Sequence, residues 1–295
     1  MNLKPFIESI EKQNLNVEGV IVHKKGMEES RYRWMPETRR NVFSVSKSFT
    51  AIAIGMAIDE GKLKLASKLC DFFRNDEVFE EQEIRWNSIT LEHLLTMTMG
   101  HKDFSRPKNL KEALSYKISN EPGTKFFYDN TCTFLASAML SNATGEKLRD
   151  YLLERLFHPL GIEDPQWRES SDGYTTGATD LFLTSSEMSL FGRFLLQRGN
   201  WEGKQLVSSS WIDAATRTQV PTRPNSAKPD YNLGYGYYFW TCRHGAFRCD
   251  GKDGQFIIVI PSLDAVISIN SDEENLEPIL YTVWDHILPA LKNLN

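Results

Sequence analysis

Three Ser-x-x-Lys pairs occur in the 295-residue chain: Ser9/Lys12, Ser44/Lys47 and Ser105/Lys108. On a helix, residues three apart share one face, one turn from each other. A hydroxyl at a helix N-terminus sits where backbone N–H groups and the dipole favour developing negative charge. A lysine desolvated against a core loses its proton more readily, so its amine becomes available as a base. These demands single out one pair. Ser9 lies on a charged stretch that reads as an exposed helix, and Pro107 falls inside the Ser105 pair in a polar loop. Ser44 alone opens an apolar segment, SVSKSFTAIAIGMAIDEGKL. A capping serine with a snorkelling lysine fits the same pattern, so the pair alone leaves both readings open.

Tyr128-Asp129-Asn130 is the only Tyr-x-Asn in the sequence. A tyrosine beside an ammonium can relay protons, because positive charge favours the phenolate. The Asn130 amide can hold both a lysine and a substrate carbonyl, although Asn130 or Thr131 also reads as the start of the following helix. The third candidate is Gly251-Lys252-Asp253-Gly254-Gln255, which leads into the apolar run Phe256–Ile260. Its Asp-Gly pairs fit a plain hairpin turn, and its glycines equally suit a strand edge against which a substrate backbone can lie. There is no GxSxG, HExxH, P-loop or GxGxxG, and the six histidines show no ligand spacing, so no metal or cofactor is expected.

The elements that must position these residues fall into three regions. First come a short helix (Phe6–Lys12), two strands (Val17–His23 and Arg31–Trp34) around the turn Lys25-Gly26-Met27, and the helix that Ser44 opens. That helix is apolar on every face, hence buried, and Gly61 is its expected C-cap. A mostly helical region follows, with a Thr-capped helix at Thr90 and helices at Thr131–Leu140, Leu148–Phe157 and Ser186–Gln197. The last region holds strands Tyr235–Thr241, Ala246–Cys249, Phe256–Ile260 and Ala265–Ile269, then a closing helix, Glu277–Leu291. The pattern predicts an α+β fold whose two chain ends share one sheet. The expected subdomains are 1–61 with 200–295 for the sheet and 62–199 for the helices, forming one catalytic unit.

Composition narrows the partners. Net charge is −5 and no Lys/Arg block exceeds a pair, so nucleic acid is not expected. The longest apolar stretch, Ala51 to Ile58, is far short of a membrane span, and no signal-peptide pattern opens the sequence. A cytoplasmic protein is the expectation. Cys70, Cys132, Cys242 and Cys249 form no CxxC. Cys242 and Cys249 could face each other across a hairpin, and thiols are expected in a reducing compartment.

In combination, Ser44-x-x-Lys47, Tyr128-x-Asn130 and Lys252-x-Gly254 resemble the serine hydrolases of the β-lactamase/penicillin-binding-protein family. The tyrosine resembles the class C branch with its esterase and peptidase relatives. FSVSKSFTAIAIGMAIDEGKLKL, ITLEHLLTMTMG, EPGTKFFYDN, GNWEGKQLVSSSWI, LGYGYYFW and GQFIIVIP extend the resemblance over roughly residues 16–290. It implies an antiparallel sheet from both chain ends, flanked by helices, with an inserted helical subdomain. The partner it implies is a small-molecule ester or amide. It implies Ser44 as the acylated nucleophile, Lys47 and Tyr128 as its proton handlers, and Asn130 as the group orienting substrate and lysine. Lys252 would supply positive charge, and the oxyanion hole would be the N–H groups of Ser44 and Gln255. Two departures stand out: Lys252-Asp253-Gly254 replaces the usual Lys-Ser/Thr-Gly, and Met99 stands where relatives carry serine. A class C-type β-lactamase or D-Ala-D-Ala carboxypeptidase is one alternative. A binding or sensor protein that acylates with little turnover is another.

Overall fold

The computed structural model describes residues 1–73, 84–222 and 228–294. A six-stranded antiparallel sheet lies at its centre, made of β1 (Val17–Lys24), β2 (Met27–Arg33), β3 (Trp240–Thr241), β4 (Phe247–Gly251), β5 (Gln255–Ile260) and β6 (Ala265–Ser271). The spatial order is β2-β1-β6-β5-β4-β3. Both ends of the chain meet where β1 pairs with β6, Val20 opposite Ile269 and Val22 opposite Ile267. The sheet is therefore built from the two termini, as the sequence pattern predicts.

β5 reads as a continuous apolar run because both of its faces are covered. Phe256, Ile258 and Ile260 pack with Phe6 and Ile10 of α1 (Lys4–Lys12) and with the C-terminal helix. That helix runs Glu277–Thr282, then a π-helical turn Val283–Ile287, then Leu288–Lys292. Ile257 and Val259 face the other way, into a core shared with α2 (Ser46–Asp59), α3 (Asn130–Thr144) and α4 (Ser185–Leu196). α4, though it falls within the mostly helical stretch of sequence, packs directly on β5 and β6. At Gly192 the helix leaves no room for a side chain: a Cβ would stand 2.4 Å from Val266 Cγ1 and 2.8 Å from Ile257 Cγ2. Among the described residues, no helix is long and apolar enough to cross a membrane.

Several boundaries differ from the sequence reading, for physical reasons. The β1–β2 turn takes only Lys25 and Gly26, both with positive φ, and Lys24 pairs with Met27. Such a turn matches the strand twist, so β2 begins at Met27, and its polar MEESRYR face is that of an edge strand. Tyr235–Thr241 was expected to be a strand, but only Trp240–Thr241 is. Tyr238 takes φ 65 and the Gly236 N–H donates to Phe239 O, so a tight turn buries these aromatic rings without a ladder. The helix expected over Leu148–Phe157 widens into a π-helical turn after Leu152. Cys242 and Cys249 do not face each other. Cys242 packs with the α1 face and Cys249 with the α2 face, and all four cysteines are buried free thiols.

Candidate active site

Ser44 lies in a 3₁₀ turn, Phe43–Val45, that runs straight into α2. The turn is entered through Phe43 at φ 47, a left-handed conformation that a bulky residue rarely adopts. Twelve residues of α2, from Ser46 to Ala57, are buried. The apolar character seen on every face follows from packing on all sides. Trp211 is one wall: its indole N–H donates to Ala51 O at 3.0 Å, and its ring occupies the space where a Cβ on Gly55 would lie. Ser44 itself remains half-buried, open at the helix entrance.

Lys47, one turn on, is 1% exposed. Its Nζ lies 3.0 Å from Ser44 Oγ, and it donates to Asn130 Oδ1 at 2.7 Å and to Ala178 O at 2.9 Å. Burial drives the lysine down from its ordinary 10.5 to about 7, against the pull of Asp129, whose negative charge raises it. Snorkelling is thereby excluded, since the ammonium end is the buried end.

Tyr128 stacks on Trp240 with ring centroids 5.7 Å apart and meets Tyr235 edge-on at 6.0 Å. These contacts fix its ring 4.9 Å from Lys47 Nζ. Burial pushes its phenol up, and a hydrogen bond with Ser44 pulls the other way. The phenol therefore stays protonated. The positive charge that would favour the phenolate is itself disfavoured, because burial pushes Lys47 down to about 7. Asn130 is the first residue of α3, as its reading as a helix start predicts. Asp129 makes no side-chain cap. Its carboxylate takes the Ser105 N–H at 2.8 Å and faces His101 Nδ1 at 3.2 Å, both inside the fold.

The third motif forms the tip of the β4–β5 hairpin, with Gly251 opposite Gln255. Lys252 is exposed; its Nζ lies 5.5 Å from the Phe43 ring centroid and donates to Asp253 Oδ2 at 3.1 Å. Asp253 is buried at φ 60, and its Oδ1 has no hydrogen-bond partner. Gly254, at φ 80, leaves a Cβ no room beside Ser271 and Ile279. The Gln255 side chain is committed inside the sheet, donating to Ser271 O and accepting from Asn270 Nδ2 at 2.7 Å. Gly251 of this hairpin lies against the residue that precedes the Ser44 turn: a Cβ there would stand 2.4 Å from Val42 O.

Ser44, Lys47, Tyr128 and Asn130 thus converge, with Lys252 and Asp253 beside the turn that carries Ser44. Two contributors escaped the sequence reading. Ala178 acts through its carbonyl, which no side-chain motif reveals. Asp250 reads as part of an Asp-Gly turn but is a strand residue, held by Arg248 Nε at 2.7 Å and the Tyr231 hydroxyl at 2.8 Å. Its charge raises both Lys47 and Tyr128. Among the described residues, no group of three or more His, Cys, Asp or Glu side chains could hold a metal ion.

A sheet closed by both termini, helices over both of its faces and a Ser-x-x-Lys turn at the start of a helix on one side define a β-lactamase/penicillin-binding-protein-like fold. The chain belongs to the Beta-lactamase family, whose model matches residues 16–290. A β-lactamase of Escherichia coli K12 is 30% identical over 137 residues, covering 43% of this chain and 35% of that protein. A lovastatin esterase of Penicillium rubens is 26% identical over 155 residues, covering 42% of this chain and 38% of that one. The matched regions span little more than a third of these two relatives. Among solved structures, the octameric penicillin-binding protein homologue from Pyrococcus abyssi superposes with a TM-score of 0.79. It is 17% identical over 98% of this chain and 78% of its own.

Proposed function

We propose that the protein is a serine hydrolase that cleaves an ester or amide through a covalent acyl-enzyme on Ser44. One observation carries the reading. A neutral lysine amine has two N–H donors and one lone pair. Asn130 Oδ1 and Ala178 O can only accept, so they use both donors. The lone pair is left to the Ser44 hydroxyl, 3.0 Å away.

In acylation the Lys47 lone pair takes the Ser44 proton as Oγ bonds to the substrate carbonyl carbon, whose oxygen gains the negative charge. The Ser44 N–H is one donor to that oxyanion. Gln255 was the expected source of the second. Gln255 opens β5, which approaches the Ser44 turn, so its backbone N–H is kept as the proposed second donor. Collapse of the intermediate breaks the bond to the leaving group, which receives the proton from Lys47 through the Tyr128 hydroxyl. Water then cleaves the acyl-Ser44 ester by the reverse proton path. The curated relatives support both an esterase and a lactam reading, and the charge at Asp253 favours uncharged short-chain esters.

Intact mass and peptide mapping after exposure to a p-nitrophenyl ester, a penicillin and a fluorophosphonate test this. The adduct is expected on Ser44, absent in Ser44→Ala and retained in Ser46→Ala and Ser48→Ala. An adduct on Ser9, Ser46 or Ser105 overturns the mechanism. Rapid turnover of the penicillin would assign a β-lactamase, and a stable acyl adduct without turnover a sensor.

A further inference from the structure

Phe43, directly before Ser44, and Asp180, on the segment that receives Lys47, both hold left-handed backbone angles, φ 47 and φ 67. Neither is glycine, so each conformation must be held in place by something. One side chain joins them. Asn41 Oδ1 accepts the Phe43 N–H at 2.8 Å and the Asp180 N–H at 3.2 Å. Its Nδ2 donates to Asp180 Oδ1 at 2.8 Å. Arg106 Nη2 then donates to both oxygens of the Asp180 carboxylate, at 2.9 and 2.8 Å. The carboxylate is buried, while Arg106 is more than half exposed.

The surrounding backbone locks this arrangement to the candidate nucleophile from both sides. The Val42 N–H donates to Leu181 O at 2.9 Å, and the Leu181 N–H donates to Ser46 Oγ at 3.3 Å. Ala178 O, two residues before Asp180, is the carbonyl that receives Lys47. Residues 178–181 therefore grip the chain immediately before and after Ser44 and hold its partner as well. If Phe43 relaxed to a negative φ, its N–H would leave Asn41 and the Ser44 turn would re-aim. An Asn amide is suited to this task, since it anchors a backbone N–H two residues ahead while its NH₂ remains free to be clamped.

We infer that Asn41, clamped by Asp180 and Arg106, is a positioning residue that keeps Phe43 left-handed and so sets where Ser44 Oγ meets Lys47. The inference rests on the acyl transfer at Ser44 proposed above. Its test is a cycle of Asn41→Ala and Phe43→Gly, read by the rate of fluorophosphonate labelling at Ser44 and by a crystal structure of Asn41→Ala.

A displacement below an ångström or so at a nucleophile slows reaction steeply, so Asn41→Ala is expected to slow labelling roughly ten- to hundredfold. Glycine reaches positive φ unaided, so with Gly at position 43 the same Asn41→Ala change is expected to cost less than about threefold. Arg106→Gln, at an exposed position, provides a second variant should Asn41→Ala not fold. It is expected to slow labelling several-fold, and that loss too should vanish in the Phe43→Gly background. Equal losses in both backgrounds, or residue 43 still at positive φ in the Asn41→Ala crystal structure, overturn the relay. Absence of labelling in the wild type would overturn the acyl-transfer reading instead, and the crystal structure would still decide whether Asn41 holds Phe43.

Discussion

Lys47 Nζ is closer to Asn130 Oδ1, at 2.7 Å, than to Ser44 Oγ, at 3.0 Å. The amide oxygen is an acceptor only, so it takes an N–H in either protonation state of the lysine. Asn130→Asp would replace it with a charged acceptor of the same shape. A carboxylate at that distance favours the ammonium, which cannot deprotonate Ser44. In the wild type, labelling of Ser44 should rise with pH and reach half its maximum near 7, where Lys47 loses its proton. In Asn130→Asp the midpoint is expected to move up by about one unit or more. Rates measured from pH 5 to 10 decide it, and a midpoint that does not move would remove Lys47 from the role of base.

The same lysine ties stability to pH. In the folded chain it deprotonates near 7, and in the unfolded chain at its ordinary 10.5. Between those values the unfolded state binds more protons, so stability rises with pH across the window. Below about 7 both states carry the proton and the burial penalty is full. Lys47→Met has no such titration. From pH 7 to 9 the wild type is expected to gain on Lys47→Met by about 2 kcal/mol, at up to about 1.4 kcal/mol per pH unit. Urea unfolding at the two pH values measures the difference, and a constant gap would mean that the ammonium stays charged in the core.

What the sequence disclosed about this site depended on whether a side chain or the backbone performs the task. Ser44, Lys47, Tyr128 and Asn130 would act through side chains at fixed spacing, and the apolar run after Lys47 announces its own burial. Ala178 contributes a carbonyl, which every residue type has, and Phe43 a left-handed backbone angle that a bulky side chain does not announce. The sheet core was legible from short β-branched and aromatic segments, above all Phe256–Ile260. Of β2 only its end, Arg31–Arg33, was legible, because the polar Met27–Ser30 stretch of this edge strand lacks a hydrophobic pattern. The aromatic Tyr235–Thr241 segment read as a strand since propensity reports a half-buried surface, which a tight turn of buried rings satisfies as well.

Gly192 carries a prediction about the fold. Its missing side chain lets α4 lie against Val266 and Ile257, at distances where a Cβ cannot fit. Both neighbours are buried side chains of the sheet, so the helix must move for an added methyl. Gly192→Ala gains helix propensity of about 1 kcal/mol, but overpacking a core costs typically about 1–3 kcal/mol. The clash is expected to win, giving a lower denaturation midpoint. An unchanged or higher midpoint would show that α4 does not approach β5 and β6 this closely.

Substrate charge provides the last test, at Asp253. The motif's middle position would need a hydroxyl to bind the carboxylate of a penicillin, and an ionised Asp there repels it. Two like charges 4 Å apart cost about 1 kcal/mol in water and about 4 kcal/mol at an effective dielectric of 20. Lys252, paired with Asp253 at 3.1 Å, offsets part of that repulsion. Threonine is the obvious replacement, but Asp253 sits at φ 60, where a β-branched residue is strained. Asparagine tolerates that angle and removes the charge while keeping the shape. Asp253→Asn is therefore expected to raise the penicillin-to-ester ratio of kcat/KM several-fold, with the larger change in KM for the penicillin. Steady-state kinetics on one penicillin and one p-nitrophenyl ester measure the ratio. A ratio that stays the same would mean that the charge at the hairpin tip does not reach the bound substrate.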